Sequence, residues 1–186
     1  EKAKVLVSFE ADFLGTWGSP VQFTKDWAAR RQPDAELNVM SWHAQFEARM
    51  SPTGANADLR VPLKPSQRYG TIVALGRLVA QKTGWNGPLP ASGPTSVSRS
   101  ILLQTAEILV AERRRALVLC GAEAAAAQVA ANWINHMLGA YEAVAHAGLG
   151  EVEPALAAAA VAEHEHAERT PAVLVESEAR WLLAEA

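Results

Sequence analysis

Ala116-Leu117-Val118-Leu119-Cys120-Gly121 is the stretch that decides the fold, because it is the chain's clearest β-strand and a long helix follows it directly. The run is apolar and ends at a glycine, which is typical of a strand buried on both faces of a parallel sheet. The helix is predicted from about Glu123 to Leu138. Gly139 marks its end, because glycine is favoured just after the last residue of a helix. A strand followed at once by a helix is the repeating unit of α/β proteins.

The rest of the chain continues this alternation of strand and helix. Further strands are predicted at Lys4–Phe9, Leu37–Phe46, Leu59–Leu63 and Ala172–Glu176. Further helices are predicted from Pro20 to about Arg31, and at Pro65–Gly84, Ile101–Arg115, Val152–Glu168 and Glu178–Ala186. Pro62 favours an edge position for its strand, since proline cannot donate to a sheet ladder. Arg113, Arg114 and Arg115 are expected in the last turn of their helix, complementing its dipole.

The order of these elements predicts the fold class. Short connections between strand and helix favour a mainly parallel sheet. We therefore expect an α/β, Rossmann-like fold with helices on both faces of the sheet.

Composition and charge exclude several classes of protein. The 186 residues are 49% apolar and carry a formal net charge of −3, so no bulk basic surface exists for nucleic acid. No apolar run approaches the roughly 20 residues that span a bilayer, and no targeting segment is recognised, so we expect no direct membrane insertion. The single cysteine, Cys120, excludes an internal disulfide and cannot alone hold an iron–sulfur cluster. We expect it to lie in the core.

Polar side chains follow three of the predicted strands, and ligands in open α/β sheets bind outside the carboxyl ends of strands. The candidates are Asp12 after the first strand, Glu47, Thr53, Asn56 and Asp58 after the second, and Glu123 after the strand at 116–121. Together they could bind a polar ligand. The same residue types commonly cap helices and turns, which is the simpler interpretation.

Several familiar motifs are absent from the sequence. It contains no G-x-G-x-x-G, no P-loop and no G-x-S-x-G, so the loops and elbow of those enzyme classes are not predicted. His164 and His166 stand two apart on a predicted helix and would point to different faces, so they make a poor metal pair.

Three stretches, taken together, resemble one family. They are Val5–Gly15 (VLVSFEADFLG) with Arg30-Arg31 closing the next helix, Thr53–Ser66 (TGANADLRVPLKPS), and Ala116–Gly121 followed by Asn132–Gly139 (NWINHMLG). The chain resembles the molybdopterin oxidoreductase-like, degenerate region of the iron–sulfur subunit of alternative complex III and of polysulfide reductase-like complexes. The stretches occur in family order and cover residues 3 to about 145, and the second is the most specific.

The resemblance implies a domain organisation and a vestigial site. Residues 1–150 would form the molybdopterin oxidoreductase-like α/β domain, and residues 151–186 would add a helix, a strand and a helix to it. Asp12, Thr53 and Asn56 would border the former pterin cleft. No catalytic or metal-binding residue is implied, and no cofactor is expected in this chain.

The resemblance also implies a setting. Iron–sulfur clusters would lie elsewhere in a longer parent chain, and the partners would be other subunits of a membrane-bound redox complex, at the periplasmic face. The leading hypothesis is therefore a structural domain of an electron-transfer subunit. The alternatives are a small-molecule or pterin-binding enzyme domain with a working cleft at Asp12, Thr53 and Glu123, and a plain interaction module.

Overall fold

The computed structural model describes residues 3–32 and 40–140. In these ranges four strands form one sheet: β1 Val5–Phe9, β2 Trp42–Glu47, β3 Leu59–Pro62 and β4 Ala116–Cys120. The helices are α1 Pro20–Ala29, α2 Pro52–Ala55, α3 Arg68–Thr83, α4 Arg99–Ala111 and α5 Ala125–Leu138, with a 3₁₀ turn at Pro65–Gln67.

All strand pairs of the described sheet are parallel, and the order across it is β3-β2-β1-β4. The predicted α/β, Rossmann-like fold is thereby confirmed. The predicted edge position of the Pro62 strand is also confirmed, because β3 lies at one side of this sheet.

One face of the sheet is the apolar core. Side chains alternate between the faces of a strand, so the register places Val7 between Ala44 and Val118 on this face. Phe9 and Phe46 stack at the carboxyl ends of their strands, with ring centroids 4.8 Å apart. Burying a side chain of this size stabilises the fold by about 1.5–3 kcal/mol.

Helices α3, α4 and α5 cover this apolar face. Ile72, Leu109 and Ile134, one from each helix, are fully buried in the same core cluster as the strands. Gly76 of α3 is required where α5 crosses it, since a Cβ there would collide with the Trp133 indole. Helix α1 lies against the other face, where Trp27 meets His43 edge-on. Helices therefore occur on both faces, as predicted.

The predicted helix ends at Gly84 and Gly139 are confirmed. Each glycine adopts the left-handed conformation that closes a helix, with φ of 72° and 65°. The segment 85–96, between α3 and α4, contains neither helix nor strand.

Two predicted boundaries are wrong. Helix α4 ends at Ala111, so the arginines that follow do not complement its dipole. Instead Arg113 donates from Nη2 to the Met137 carbonyl at 3.2 Å, and the Arg114 amide donates to the Leu138 carbonyl at 2.9 Å. These two bonds provide donors for carbonyl groups at the C-terminal end of α5, which lies next to the turn after α4.

The second boundary is the start of β2. Among the described residues this strand begins at Trp42, because Met40 and Ser41 pair with neither neighbouring strand. The predicted start at Leu37 and the elements predicted within residues 151–186 lie outside the described residues.

Candidate functional site

The order of the strands creates a cleft at the carboxyl ends of β1 and β4. The chain runs from β1 to β2 and β3 on one side and places β4 on the other, so this is the point where strand order reverses. In open α/β sheets that crevice is where ligands bind. Here it is an open cleft of ≈ 510 Å³, lined by Glu10, Arg68, Gly121, Ala122, Glu123 and Ala124.

Glu10 occupies the floor of this cleft in an unusual backbone conformation. Its φ is 61°, in the left-handed region that costs a residue with a Cβ about 1 kcal/mol or more. Its Oε1 accepts the Ala48 amide at 3.0 Å and lies 3.2 Å from Arg68 Nε. The carboxylate thus ties the end of β1 to the loop after β2 and to the first residue of α3.

Gly121 lets β4 pass close to Glu10. A Cβ on Gly121 would lie 2.6 Å from the Glu10 carbonyl oxygen and 2.7 Å from Ala11 Cα, and backbone atoms cannot yield as a flexible side chain can. The Gly121 amide donates to the Phe9 carbonyl at 2.9 Å. Glycine is therefore needed here for the close approach of two backbones.

Glu123 stands at the start of α5. The N-cap residue, Ala124, has no side-chain oxygen to bond the free amides of the first turn. The exposed carboxylate of Glu123 comes one residue earlier, at the positive end of the helix dipole. The two cationic features of the cleft, Arg68 and this helix end, therefore each have a carboxylate of the chain nearby.

Two of the predicted site residues, Asp12 and Thr53, are in direct contact. Thr53 Oγ1 donates to Asp12 Oδ1 at 2.8 Å, and the Thr53 amide lies 3.3 Å from the same oxygen. Thr16 Oγ1 donates to Asp12 Oδ2 at 3.1 Å. Burial raises the pKa of Asp12, but these hydrogen bonds from Thr53 and Thr16 outweigh it, and the pKa is lowered. The carboxylate is ionised and bonded at both oxygens.

The same pair fixes the loop that leaves β1. Thr53 Oγ1 also accepts the Leu14 amide at 3.0 Å. The Asp12 carbonyl accepts the amides of the tight turn at 15–17. Asp12 and Thr53 therefore join the loop after β1 to helix α2, which follows β2.

The third predicted residue, Asn56, points elsewhere. It is exposed at the C-terminal end of α2, and its Nδ2 donates to the Pro52 carbonyl at 2.8 Å. The side chain turns back onto its own helix. Whether Asp12, Thr53 and Asn56 bind a ligand stays a prediction.

Glu47, at the end of β2, is a buried carboxylate with a full set of partners. It is 1% exposed. Arg60 Nε donates to Oε1 at 2.6 Å and Ser51 Oγ donates to Oε2 at 2.6 Å. Gly54 provides the space, because a Cβ there would overlap the Glu47 carboxylate.

The placement of Asp58 at the same end of the sheet was wrong. Because β3 is parallel to β2, helix α2 returns the chain to the amino end of the sheet before Asp58. There Arg31 makes two bonds to its carboxylate, at 2.7 and 2.6 Å, and the His43 amide makes a third at 2.8 Å. The Arg31 guanidinium lowers the pKa of Asp58.

Arg68 and Arg60 were not recognised from the sequence. Both lie far along the chain from the carboxylates they meet. The available signal was topological: Arg68 opens the helix after β3, and helices after parallel strands begin at the edge where ligands bind.

Cys120 was expected to lie in the core; it is half-buried and packs against the core from its margin. Within residues 3–32 and 40–140, no cluster of three or more His, Cys, Asp or Glu side chains could hold a metal ion. None of the helices described is long and apolar enough to cross a bilayer. His164 and His166 lie outside the described residues. No family model and no curated protein matches the chain.

Proposed function

We propose that this chain is a scaffold domain of an iron–sulfur oxidoreductase subunit in a membrane-associated electron-transfer complex, and that its own cleft carries no cofactor. One observation carries the second half of the proposal. The Arg68 guanidinium of the cleft lies 3.2 Å from the Glu10 carboxylate of the same chain. The charge that would attract an anionic ligand is already balanced.

The charge of the whole cleft supports this proposal. Its lining holds two carboxylates, Glu10 and Glu123, and one guanidinium, Arg68, for a formal charge of −1. Two like charges 4 Å apart repel by about 4 kcal/mol at the effective dielectric near a protein surface. A pterin cofactor brings phosphate groups, so these residues fit it poorly.

The Asp12–Thr53 pair gives separate support. A ligand hydroxyl or amide would have to compete with the Thr53 hydroxyl, which is 2.8 Å from Asp12 Oδ1. Thr53 is fully buried. Breaking the pair would leave a buried hydroxyl without its partner, which costs about 1–3 kcal/mol. The side chains that resemble a pterin-cleft border therefore fit a role in joining loops.

The remaining part of the proposal rests on the resemblance of the three sequence stretches. It places iron–sulfur clusters in another part of a longer parent chain and other redox subunits as partners, at the periplasmic face. The test is purification from native membranes in mild detergent, using an antibody against this domain. We expect the domain to co-purify with iron, acid-labile sulfide and subunits that span the membrane. A chain recovered without iron or partners would overturn the proposal.

A second candidate is a small-molecule-binding enzyme domain with a working site at the carboxyl ends of the strands, to which only Glu123 of the predicted residues contributes from the lining of the cleft described above. The left-handed φ of Glu10 favours it, because strained backbone often occurs at ligand sites. Asp12, Thr53 and Glu123 would then contact the ligand. The test is a ligand screen by thermal shift, repeated on the Asp12→Ala/Thr53→Ala variant. A hit whose affinity is unchanged in a folded variant would exclude this candidate for Asp12 and Thr53.

A further inference from the structure

The face of the sheet opposite the apolar core carries a row of buried polar side chains. His43, Gln45 and Glu47 alternate along β2, so all three point to this face, and they are 0%, 0% and 1% exposed. Ser8 of β1 stands beside Gln45 and is also 0% exposed. Strands in the middle of a parallel sheet are usually apolar on both faces, so this row needs an explanation.

One end of the row is satisfied by the chain itself. Glu47 bonds to Arg60 and Ser51, as described above. Gln45 Nε2 lies 3.4 Å from Glu47 Oε2, and Ser8 Oγ donates to the Ala11 carbonyl at 3.2 Å. Glu47, the Ser8 hydroxyl and the amide nitrogen of Gln45 therefore have hydrogen-bond partners within the chain.

The other end of the row is unsatisfied. Among the described residues, His43 Nδ1 and Nε2, Gln45 Oε1 and Trp27 Nε1 are buried and have no hydrogen-bond partner. The Gln45 side chain is near the His43 ring, but it falls short of hydrogen-bond geometry to either ring nitrogen. A buried polar atom left without a partner costs about 1–3 kcal/mol, and such atoms in folded proteins usually bond to protein or ordered water.

The surroundings of His43 define this end of the row. Phe13, in the loop after β1, has its ring centroid 5.5 Å from that of the imidazole, and Trp27 of α1 approaches edge-on at 6.3 Å. Helix α1 has no fully buried residue. It is fixed at its C-terminal side by Arg31, which bonds to Asp58 and to the Ser41 carbonyl at 2.6 Å. The rings of Phe13 and Trp27 therefore cover this end of the row of polar side chains.

The chemistry of the four atoms restricts what could join them. Burial lowers the pKa of His43 to about 4, so the ring is neutral at pH 7, with one donor and one acceptor nitrogen. Trp27 Nε1 is a donor only and Gln45 Oε1 an acceptor only. Three charged groups act on the ring: Arg31 and Asp58, which pair with each other, and Glu47, which pairs with Arg60. A partner must both donate and accept, and it must be neutral. Water meets these requirements.

We propose that His43, Gln45 and Trp27 form an internal binding site for ordered water between β2 and α1. The water bridges the imidazole to the amide oxygen and the indole N–H, and it completes the polar row that ends at Glu47. This site lies at the amino-terminal part of β2, away from the cleft at the carboxyl ends of the strands, and it does not depend on the function proposed above.

The test is solution NMR on the full chain. Long-lived water should give cross-peaks of the bound-water sign to the His43 ring protons and to the Trp27 indole proton, whereas the 42%-exposed Trp17 indole serves as the control for surface water. Absence of such cross-peaks at both His43 and Trp27 would overturn the proposal. In His43→Phe the Trp27 cross-peak should be lost; its persistence would contradict a water held by the ring.

Thermal unfolding gives a second readout that does not depend on the spectra. If water satisfies the ring, His43→Phe loses hydrogen bonds and should lower Tm by about 3–8 °C. If the ring is dry, removing two unsatisfied nitrogens should raise Tm, which would contradict the proposal. Should His43→Phe not fold, the wild-type cross-peaks of water to the His43 ring protons and the Trp27 indole proton decide the proposal on their own.

Discussion

Asn135 of α5 holds both backbone groups of Val118 in β4: its Oδ1 accepts the Val118 amide at 2.8 Å, and its Nδ2 donates to the Val118 carbonyl at 2.8 Å. These backbone groups face away from β1, at the edge of the described sheet. An edge strand normally exposes such groups to water or to another chain. A single buried amide here replaces one residue of a neighbouring strand and fixes α5 on the sheet.

We therefore predict that Asn135→Leu lowers the free energy of unfolding by about 2–4 kcal/mol, because two buried backbone groups lose their partners. Urea denaturation followed by circular dichroism measures this. Gln104→Leu is the control, since Gln104 is an exposed amide side chain on helix α4 and should change the stability much less. Equal effects of the two substitutions would contradict the role given to Asn135.

Gly121→Ala should destabilise the fold by about 3 kcal/mol, because its Cβ would meet the Glu10 and Ala11 backbone rather than a movable side chain. Gly84→Ala is the control. Gly84 also needs a left-handed φ, at 72°, but nothing lies within 4 Å of a Cβ there. It should cost only about 1–2 kcal/mol. A Gly121→Ala protein as stable as Gly84→Ala would show that the strands do not pass so closely.

His43 should make the protein sensitive to mild acid. Its pKa is about 4 in the fold against 6.5 as the ordinary value, so the unfolded chain takes up a proton first as the pH falls. The free energy of unfolding should decrease between about pH 6.5 and 4, by up to roughly 3 kcal/mol. Asp12 and Asp58, whose pKa values are lowered, contribute stability that is lost only at lower pH.

Urea denaturation of the wild type and of His43→Gln across this pH range isolates the effect. The difference in free energy of unfolding between the two proteins should decrease as the pH falls from 6.5 to 4. A wild-type protein whose difference from His43→Gln is flat between pH 6.5 and 4 would show that His43 is not buried as described.

The carboxylates of the cleft should suppress anion binding. In the Glu10→Gln/Glu123→Gln variant the formal charge of the lining changes from −1 to +1, so pyrophosphate should bind at least tenfold more tightly than to wild type. Glu107→Gln on α4 is the control, because it also replaces a carboxylate with a neutral amide, here the partner of Lys82 outside the cleft. If the double variant binds pyrophosphate no better than Glu107→Gln does, the chain's own carboxylates are not what keeps anions out.

The fold class could be predicted from the sequence, because strands and helix ends are marked by patterns of neighbouring residues. Apolar runs such as 116–121 marked the strands, and Gly84 and Gly139 marked helix ends through a conformation that glycine adopts most easily. The prediction that Arg113, Arg114 and Arg115 lie in the last turn of α4 was wrong, because basic residues are favoured at the C-terminal end of any helix. Only the tertiary arrangement shows that they serve α5.

The site was less predictable because it depends on contacts between distant residues. Asp12 and Thr53, 41 positions apart, were both chosen because they follow strands, and they do meet. Glu10 pairs with Arg68 across the sheet edge, and no local pattern indicates that. His43, Gln45 and Glu47 alternate along β2, and no local pattern indicates that α1 and the loop at Phe13 bury the face that they share.

The measurement that tests the central claim most directly is isothermal titration of the wild-type 186-residue chain, expressed alone, with guanosine diphosphate as a phosphate-bearing probe, together with elemental analysis of that same chain. The claim that the chain's own carboxylates balance the cleft predicts no binding heat up to millimolar nucleotide and no stoichiometric molybdenum, tungsten or iron. Micromolar binding of the nucleotide, or a stoichiometric metal, would contradict it.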